Sequence, residues 1–338
     1  MLASGRAAVT ALRWLAALSI LLAGLGWAAW RSGDRAPIDE VAIAEAQSGV
    51  ALESRRVRTG DVSLHVVFAG PEAGPPVVLL HGFPELWYSW HGVMPLLARA
   101  GYRVIAPDLR GYNRSDKPPG RDAYSGDAFA RDVLGLLDAL GIERAFVAGH
   151  DVGAGVAWTL VFQHPERVRR ALILSSPHPF AWERARPQDD PDSISWFRSF
   201  FKLPFLPELV ARAGGWWLPT RNLQRTSRPG TFEGETLAVF QSAWARDNAM
   251  SSMIDVYRSD FRRQPLPEDG KPPVPVRYVF GGRDAYMPRA ASELTAELLG
   301  KGAVTELPEA SHWLLHEEPE QVGQLLIDFF GELVQGRP

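Results

Sequence analysis

The sequence predicts an α/β fold, a mostly parallel sheet flanked by helices with a helical cap inserted late in the chain. Three observations carry this expectation. Short buried-type runs such as PPVVLLHG (75–82), YRVIAPDLRG (102–111), AFVAG (145–149) and RRALILSS (169–176) alternate with stretches of helical periodicity, the rhythm of βαβ units. That rhythm breaks between about Pro177 and Pro267. It resumes in VPVRYVFGG (274–282), AVTELPEASH (303–312) and the amphipathic EPEQVGQLLIDFFGELV (318–334).

The elements follow in order. VSLHVVFAG (62–70) has the period-2 character of a half-buried strand, and the strand at 75–82 ends in a turn. Helical spacing fits WHGVMPLLARAG (90–101), with Pro95 confined to the first turns. SGDAFARDVLGLLDALG (125–141) opens on a capping-type Ser and closes on glycine. Residues 177–267 are dense in aromatics (Trp182, Trp196, Phe197, Phe200, Phe201, Phe205, Trp216, Trp217) and are divided by Pro204, Pro207 and Pro219, which reads as a helical insertion. The expected organisation is an anchor over 1–30, a linker or loosely docked helix over 31–54, a core of 55–176 and 268–338, and a cap of 177–267.

Composition narrows the function. The 338 residues are 46% hydrophobic and 22% charged with net charge −3, an ordinary globular balance without the basic stripe that nucleic acid requires. There is no cysteine, which excludes disulfides, thiolate metal sites and a Cys nucleophile. WLAALSILLAGLGWAAW (14–30) is charge-free, bounded by Trp14 and Trp30 and flanked by Arg6, Arg13, Arg31 and Arg35. It is long enough to cross a bilayer as a short helix, and Trp at both ends suits the membrane interface. GWAA is a poor cleavage site, so the expectation is an uncleaved single-pass membrane anchor, with export behind a signal peptide as the lesser reading.

The chemistry centres on FVAGHDVGAG (146–155). Gly149-x-Asp151-x-Gly153 between strand and helix has the pattern of a nucleophile elbow, where small flanking residues let the central side chain project beside a helix N-terminus. An Asp there is otherwise an ordinary helix cap. HGFPE (81–85), directly after VVLL, places the Phe83 N–H to act with that of Val152 on a developing oxyanion. Farther on, Asp284 and His312 each follow a strand. The order nucleophile, acid, His is that of the α/β-hydrolase fold. His312 and His316 are four apart, as helical metal ligands can be, but no third ligand is suitably spaced, so neither metal nor cofactor is expected.

From about Arg55 to Val334 the chain resembles α/β-hydrolases of the epoxide hydrolase family, in its membrane-anchored form. The resemblance rests on HGFPELWYSWHGVMPLLA, VIAPDLRGYNRSDKP, GHDVGA, GGRDAYMP and PEASHWLLHEEPEQV. It implies that Asp151 attacks an epoxide carbon to form an alkyl ester, and that His312, oriented by Asp284, activates water to hydrolyse it. It also implies a cap tyrosine as proton donor: MIDVYRSDF (253–261) puts Tyr257 in that role, while the second phenol usual in the family is replaced by Phe197. His81, Pro84, Trp87, Trp196, Phe197 and Trp313 are the expected pocket residues, around a hydrophobic small-molecule substrate. Dehalogenases share the Asp nucleophile, but bind halide or carboxylate with a Trp or Arg after it. Here those positions hold Val152 and Gly155, which leaves haloalkane or haloacid dehalogenation as the alternative. A degenerate hydrolase fold serving only as a ligand-binding module is a third reading, opposed by the intact Asp151, Asp284 and His312 set.

Overall fold

The computed structural model describes residues 31–185, 196–259, 261, 267 and 269–334, together with Gly24 and Ala28; the side chains of Trp196, Leu333 and Val334 are not among the described features. The apolar stretch 14–30 lies outside these residues apart from Gly24 and Ala28. No helix among the described residues is long and apolar enough to cross a membrane.

Eight strands form one sheet: β1 (Glu53–Arg58), β2 (Ser63–Ala69), β3 (Pro76–Leu80), β4 (Arg103–Pro107), β5 (Ala145–His150), β6 (Val168–Leu174), β7 (Val276–Gly281) and β8 (Val304–Leu307), in the order β1-β2-β4-β3-β5-β6-β7-β8. β2 pairs antiparallel with β1 and β4; all other pairs are parallel. Val77 to Leu80 and every residue of β5 are buried, as parallel strands covered on both faces must be. The order reverses at β3, which lies between β4 and β5. The crossovers that follow β3 and β5 therefore run to opposite sides and leave a crevice at the carboxyl ends of the strands, where ligands bind in open α/β sheets.

The helices in chain order are α1 (Glu40–Ser48), α2 (Met94–Arg99), α3 (Gly126–Ala139), α4 (Val152–Gln163), α5 (Pro179–Arg184), α6 (Trp196–Phe201), α7 (Leu206–Thr226), α8 (Gly234–Ala245), α9 (Ala249–Arg258), α10 (Arg289–Leu299), α11 (Leu314–Glu317) and α12 (Pro319–Val334). Ser125 caps α3 by accepting from Ala128 N–H, and Pro95 sits in the first turn of α2, where its missing N–H costs nothing. The helix expected over 90–101 starts later, because a 3₁₀ turn occupies Trp87–Trp90. α5 to α9 lie between β6 and β7; α5 packs on α10 of the core, and α6 to α9 make up the cap layer. It meets the core through Trp244 Nε1, which donates to Pro84 O at 2.6 Å, and Arg246 Nε, which donates to Asn113 Oδ1 at 2.7 Å.

Two features differ from the expectation. The 31–54 segment is no slack linker. Glu40 of α1 is buried and accepts from Asn113 Nδ2 at 3.0 Å and Arg114 Nη2 at 2.7 Å. Residues before it grip the cap: Trp216 Nε1 donates to Gly33 O, Arg35 Nη2 to Gly215 O and Arg212 Nη2 to Asp34 Oδ1. α1 is short and alanine-rich with few apolar anchors, so its docking rests on polar partners far away in sequence, which periodicity does not reveal. The second difference is in α7, which breaks at Ala213–Trp216, where Gly214, Gly215 and Trp216 all have positive φ. The two glycines take this conformation freely; Trp216 is held in it by burial and its bond to Gly33.

Candidate active site

Asp151 stands at the junction of β5 and α4 with φ 48° and ψ −108°, the strained turn of a nucleophile elbow. The flanking glycines are sterically required. A Cβ on Gly153 would lie 2.6 Å from His81 O and closer still to Leu80 O, and one on Gly149 would lie 2.7 Å from Ala154 N. Pairing of β3 with β5 sets Leu80 opposite Gly149, so the HGFP loop and the elbow emerge side by side. The Phe83 N–H accordingly donates to Asp151 Oδ1 at 3.1 Å. Val152, the other expected oxyanion donor, is the first residue of α4.

Asp284 follows β7 and His312 follows β8, which pair with each other. His312 Nδ1 is 2.8 Å from Asp284 Oδ2, and Asp284 Oδ1 accepts from the N–H groups of Tyr286 and Met287 at 2.8 and 3.1 Å. The carboxylate therefore fixes the ring and is itself fixed. His312 Nε2 faces Asp151 Oδ2 at 3.7 Å, an ion-pair separation beyond hydrogen-bond reach. Burial opposes a charged ring, but Asp284 and Asp151 outweigh it and raise His312 to about 10. Burial likewise opposes ionisation of Asp151, and His312, His150 and the Phe83 N–H override it, lowering the carboxyl to about 2. At neutral pH these shifts put an ionised Asp151 carboxylate beside an imidazolium.

The cavity above Asp151 is lined by Phe83, Pro84, Phe197, Tyr257, His312 and Trp313, with Met250, Leu218 and Pro219 among its apolar walls. Tyr257 packs edge-on against Phe83 at 5.0 Å and against Phe197 at 5.6 Å. Two expected pocket residues lie elsewhere. His81 is buried beneath the loop: its Nε2 accepts from Leu109 N–H at 3.0 Å and its Nδ1 faces Gly82 O. Trp87 is buried in the core, its backbone N–H on Asp108 Oδ1. His81 opens the loop motif and Trp87 follows it by two residues, but the turn places both behind the cavity wall. Trp196 opens α6, and its side chain is outside the described features.

Three residues of the site were not singled out in the sequence. Glu85 ends HGFPE; its Oε2 accepts from Gly82 N–H at 2.6 Å and lies 2.8 Å from His150 Nδ1. His150 Nε2 is 2.9 Å from His312 O, so a buried Glu85–His150 pair ties the Phe83 loop to the backbone of His312. Burial opposes the Glu85 charge, yet His150 and His316 hold its carboxyl well below the usual range. The position of Glu85 and His150 inside the two recognised motifs was the available signal. Tyr286, in GGRDAYMP, also lines the cavity. Its ring stands edge-on to His312 at 4.9 Å and to Phe197 at 6.1 Å. Asn222 Nδ2 donates to its hydroxyl at 2.6 Å, and burial pushes the phenol up to about 12.

Comparison with known proteins bears on the fold and the family. A family model described as alpha/beta hydrolase fold matches residues 75–319. The chain is 38% identical over 277 residues to AB hydrolase superfamily protein YfhM of Bacillus subtilis, covering 81% of this chain and 96% of that protein. It is 31% identical over 284 residues to Epoxide hydrolase 4 of Homo sapiens, covering 82% and 78%. Among solved structures, Epoxide Hydrolase A from Mycobacterium thermoresistibile superposes with a TM-score of 0.69 at 29% identity, over 82% of this chain and 98% of that one. The chain is an enzyme of the α/β-hydrolase fold family and belongs, within it, to the epoxide hydrolases.

Proposed function

We propose that the protein hydrolyses an apolar epoxide to a vicinal diol through an ester on Asp151. The observation that carries this reading is the pairing of an ionised carboxylate, its Oδ1 held by the Phe83 N–H, with cavity phenols and no halide-binding ring N–H at Val152. A carboxylate nucleophile suits reaction at sp³ carbon, and an epoxide differs from a haloalkane in needing a proton for the departing oxygen.

In this reading Asp151 Oδ2 attacks one epoxide carbon, the C–O bond breaks towards oxygen, and the oxygen takes a phenolic proton. Tyr257 supplies it from the cap. Tyr286 is the second phenol: like Tyr257 it lies against Phe197, the residue standing where the family usually has a tyrosine. Esterification neutralises Asp151 and removes one of the two charges that hold the proton on His312. His312 then releases that proton, which restores the phenol through solvent. The neutral ring takes a proton from water as the water adds to the ester carbonyl, and the N–H groups of Phe83 and Val152 stabilise the oxyanion. Collapse frees the diol and returns Asp151 to carboxylate beside a cationic His312. We also assign the 14–30 stretch as a membrane anchor.

The deciding experiment incubates the protein with an apolar aryl or alkyl epoxide and, separately, with a haloalkane. Diol from the first is expected; halide from the second without diol from the first overturns the reading.

A further inference from the structure

Among the described residues the exposed large apolar side chains are Leu203, Phe205, Leu206 and Trp217, at 44%, 85%, 45% and 64% exposure. All four fall within one stretch of the cap, 202–217, and Lys202–Leu206 is an unbroken exposed run. Water-facing surfaces do not carry such runs without a use. Phe205 also holds φ 62°, a region that a bulky residue occupies only at a cost. The first half of α7 separates Leu206 from the break before Trp217 by only about 10 Å of helix, so these side chains belong to one region of the cap.

Two further observations say what this region meets. The same stretch supplies Pro207 and Ala211 to the catalytic cavity, and Leu218 and Pro219 follow directly; outward apolar residues thus alternate with cavity wall. The chain also enters the described structure here: Gly33, Asp34 and Arg35 are bonded to Trp216, Arg212 and Gly215. Residues 33–35, which follow the charge-free stretch 14–30 in sequence, are therefore held against the same part of the cap.

We propose that residues 202–217 are a bilayer-docking surface. Leu203, Phe205, Leu206 and Trp217 enter the interfacial layer of an anionic phospholipid membrane, while Lys202 and Arg31 remain among the headgroups, the arrangement such side chains adopt at that boundary. Docking sets the cavity wall against lipid, so an apolar substrate dissolved in the membrane enters without crossing water. The docking does not depend on the reaction; only the identity of that substrate rests on the epoxide reading.

The test uses the full chain and vesicles of mixed phosphatidylcholine and phosphatidylglycerol. Because the sequence has no cysteine, F205C, W217C and E72C each accept one environment-sensitive fluorophore. Glu72 is an exposed control at the opposite end of the sheet, between β2 and β3. Vesicles should blue-shift the labels at 205 and 217 and expose them to quenching by nitroxide lipids, leaving the label at 72 unchanged. L203S and L206S, added to the labelled F205C and W217C proteins, should lessen the blue shift and the nitroxide quenching several-fold while the protein, still held by its N-terminal stretch, turns over a water-soluble epoxide as the parent does. Three results overturn the proposal: no co-sedimentation of the parent, labels at 205 and 217 that stay in water on vesicle-bound protein, or a blue shift without lipid as protein concentration rises, which makes a second copy the occupant. Vesicle docking without any diol would overturn the epoxide reading alone.

Discussion

His312 Nε2 sits 3.7 Å from Asp151 Oδ2 while its Nδ1 is 2.8 Å from Asp284 Oδ2, so a single imidazole is held between two carboxylates. One of these partners is permanent and the other is consumed in the proposed chemistry. The ring is a poor base while both are charged. It becomes a base once Asp151 carries an alkyl group, which schedules water activation after ester formation without any movement of the protein.

The first expected outcome follows from that schedule. His312→Gln keeps the nucleophile but removes the base, so one equivalent of epoxide should accumulate as an ester on Asp151 while turnover falls by about 10²–10⁴-fold. Mass spectrometry of the intact protein and of its peptides checks both the adduct and its position. An adduct on any other residue overturns the nucleophile assignment.

Stability should depend on pH through the same ring. The folded His312 is raised to about 10 from an ordinary value near 6.5, so its contribution is fully present below about pH 6.5 and is lost as pH rises through about 10. Over that window the folded state binds the extra proton, and stability falls by up to about 1.4 kcal/mol per pH unit from this group. Urea unfolding at pH 6.5 and 9.5 should show the decline in the parent and a much flatter profile in His312→Gln. Asp151, lowered to about 2, gives the opposite limb. Its contribution is present above about pH 4 and lost as pH falls towards 2.

Tyr257→Phe and Tyr286→Phe should each slow ester formation in a single turnover, by about 10-fold or more, and together by more than either alone. Replacing Thr226 by Val removes a hydroxyl 3.2 Å from that of Tyr286 but leaves the phenol, and should have a much smaller effect. A Tyr286→Phe enzyme that alkylates at the parental rate makes Tyr257 the sole donor.

Gly153→Ala should destabilise the fold by about 3 kcal/mol, because the added methyl meets the backbone of Leu80 and His81 rather than a flexible side chain. Urea unfolding measures this directly. An unchanged midpoint would show that the elbow can relax.

Glu85→Gln keeps the shape but loses the charge that His150 and the Gly82 N–H satisfy. A loss of about 2–3 kcal/mol is expected from breaking a buried charged pair. The depressed carboxyl means this stabilisation is present above the ordinary Glu range and lost only at strongly acidic pH. Retained folding with slower ester hydrolysis would show that the pair positions His312.

The sheet and the Asp151, Asp284 and His312 cluster were legible because their signals are local. Buried strands read as apolar runs, and Gly149 and Gly153 mark a turn that tolerates nothing larger. What escaped the sequence depends on distant partners. β1 was missed because Glu53–Arg58 is polar and mostly exposed, its strand character coming from pairing with β2. Glu85 and His150 meet only because β3 and β5 are neighbours. The burial of His81 and Trp87 beneath the cavity is a matter of turn direction, which composition does not encode. Tyr286 was overlooked because its partners, Asn222 and Thr226, lie in the cap about 60 residues earlier.

The stretch 33–48 joins the cap at one end and the core at the other, with Gly33 on Trp216 and Glu40 on Asn113 and Arg114. It is therefore a strap of fixed length, and it limits how far the two layers can part. A pull at Arg31 is delivered to the cap helix before it reaches the sheet. The segment thus couples the seating of the cap over Asp151 to the seating of α1 on the core.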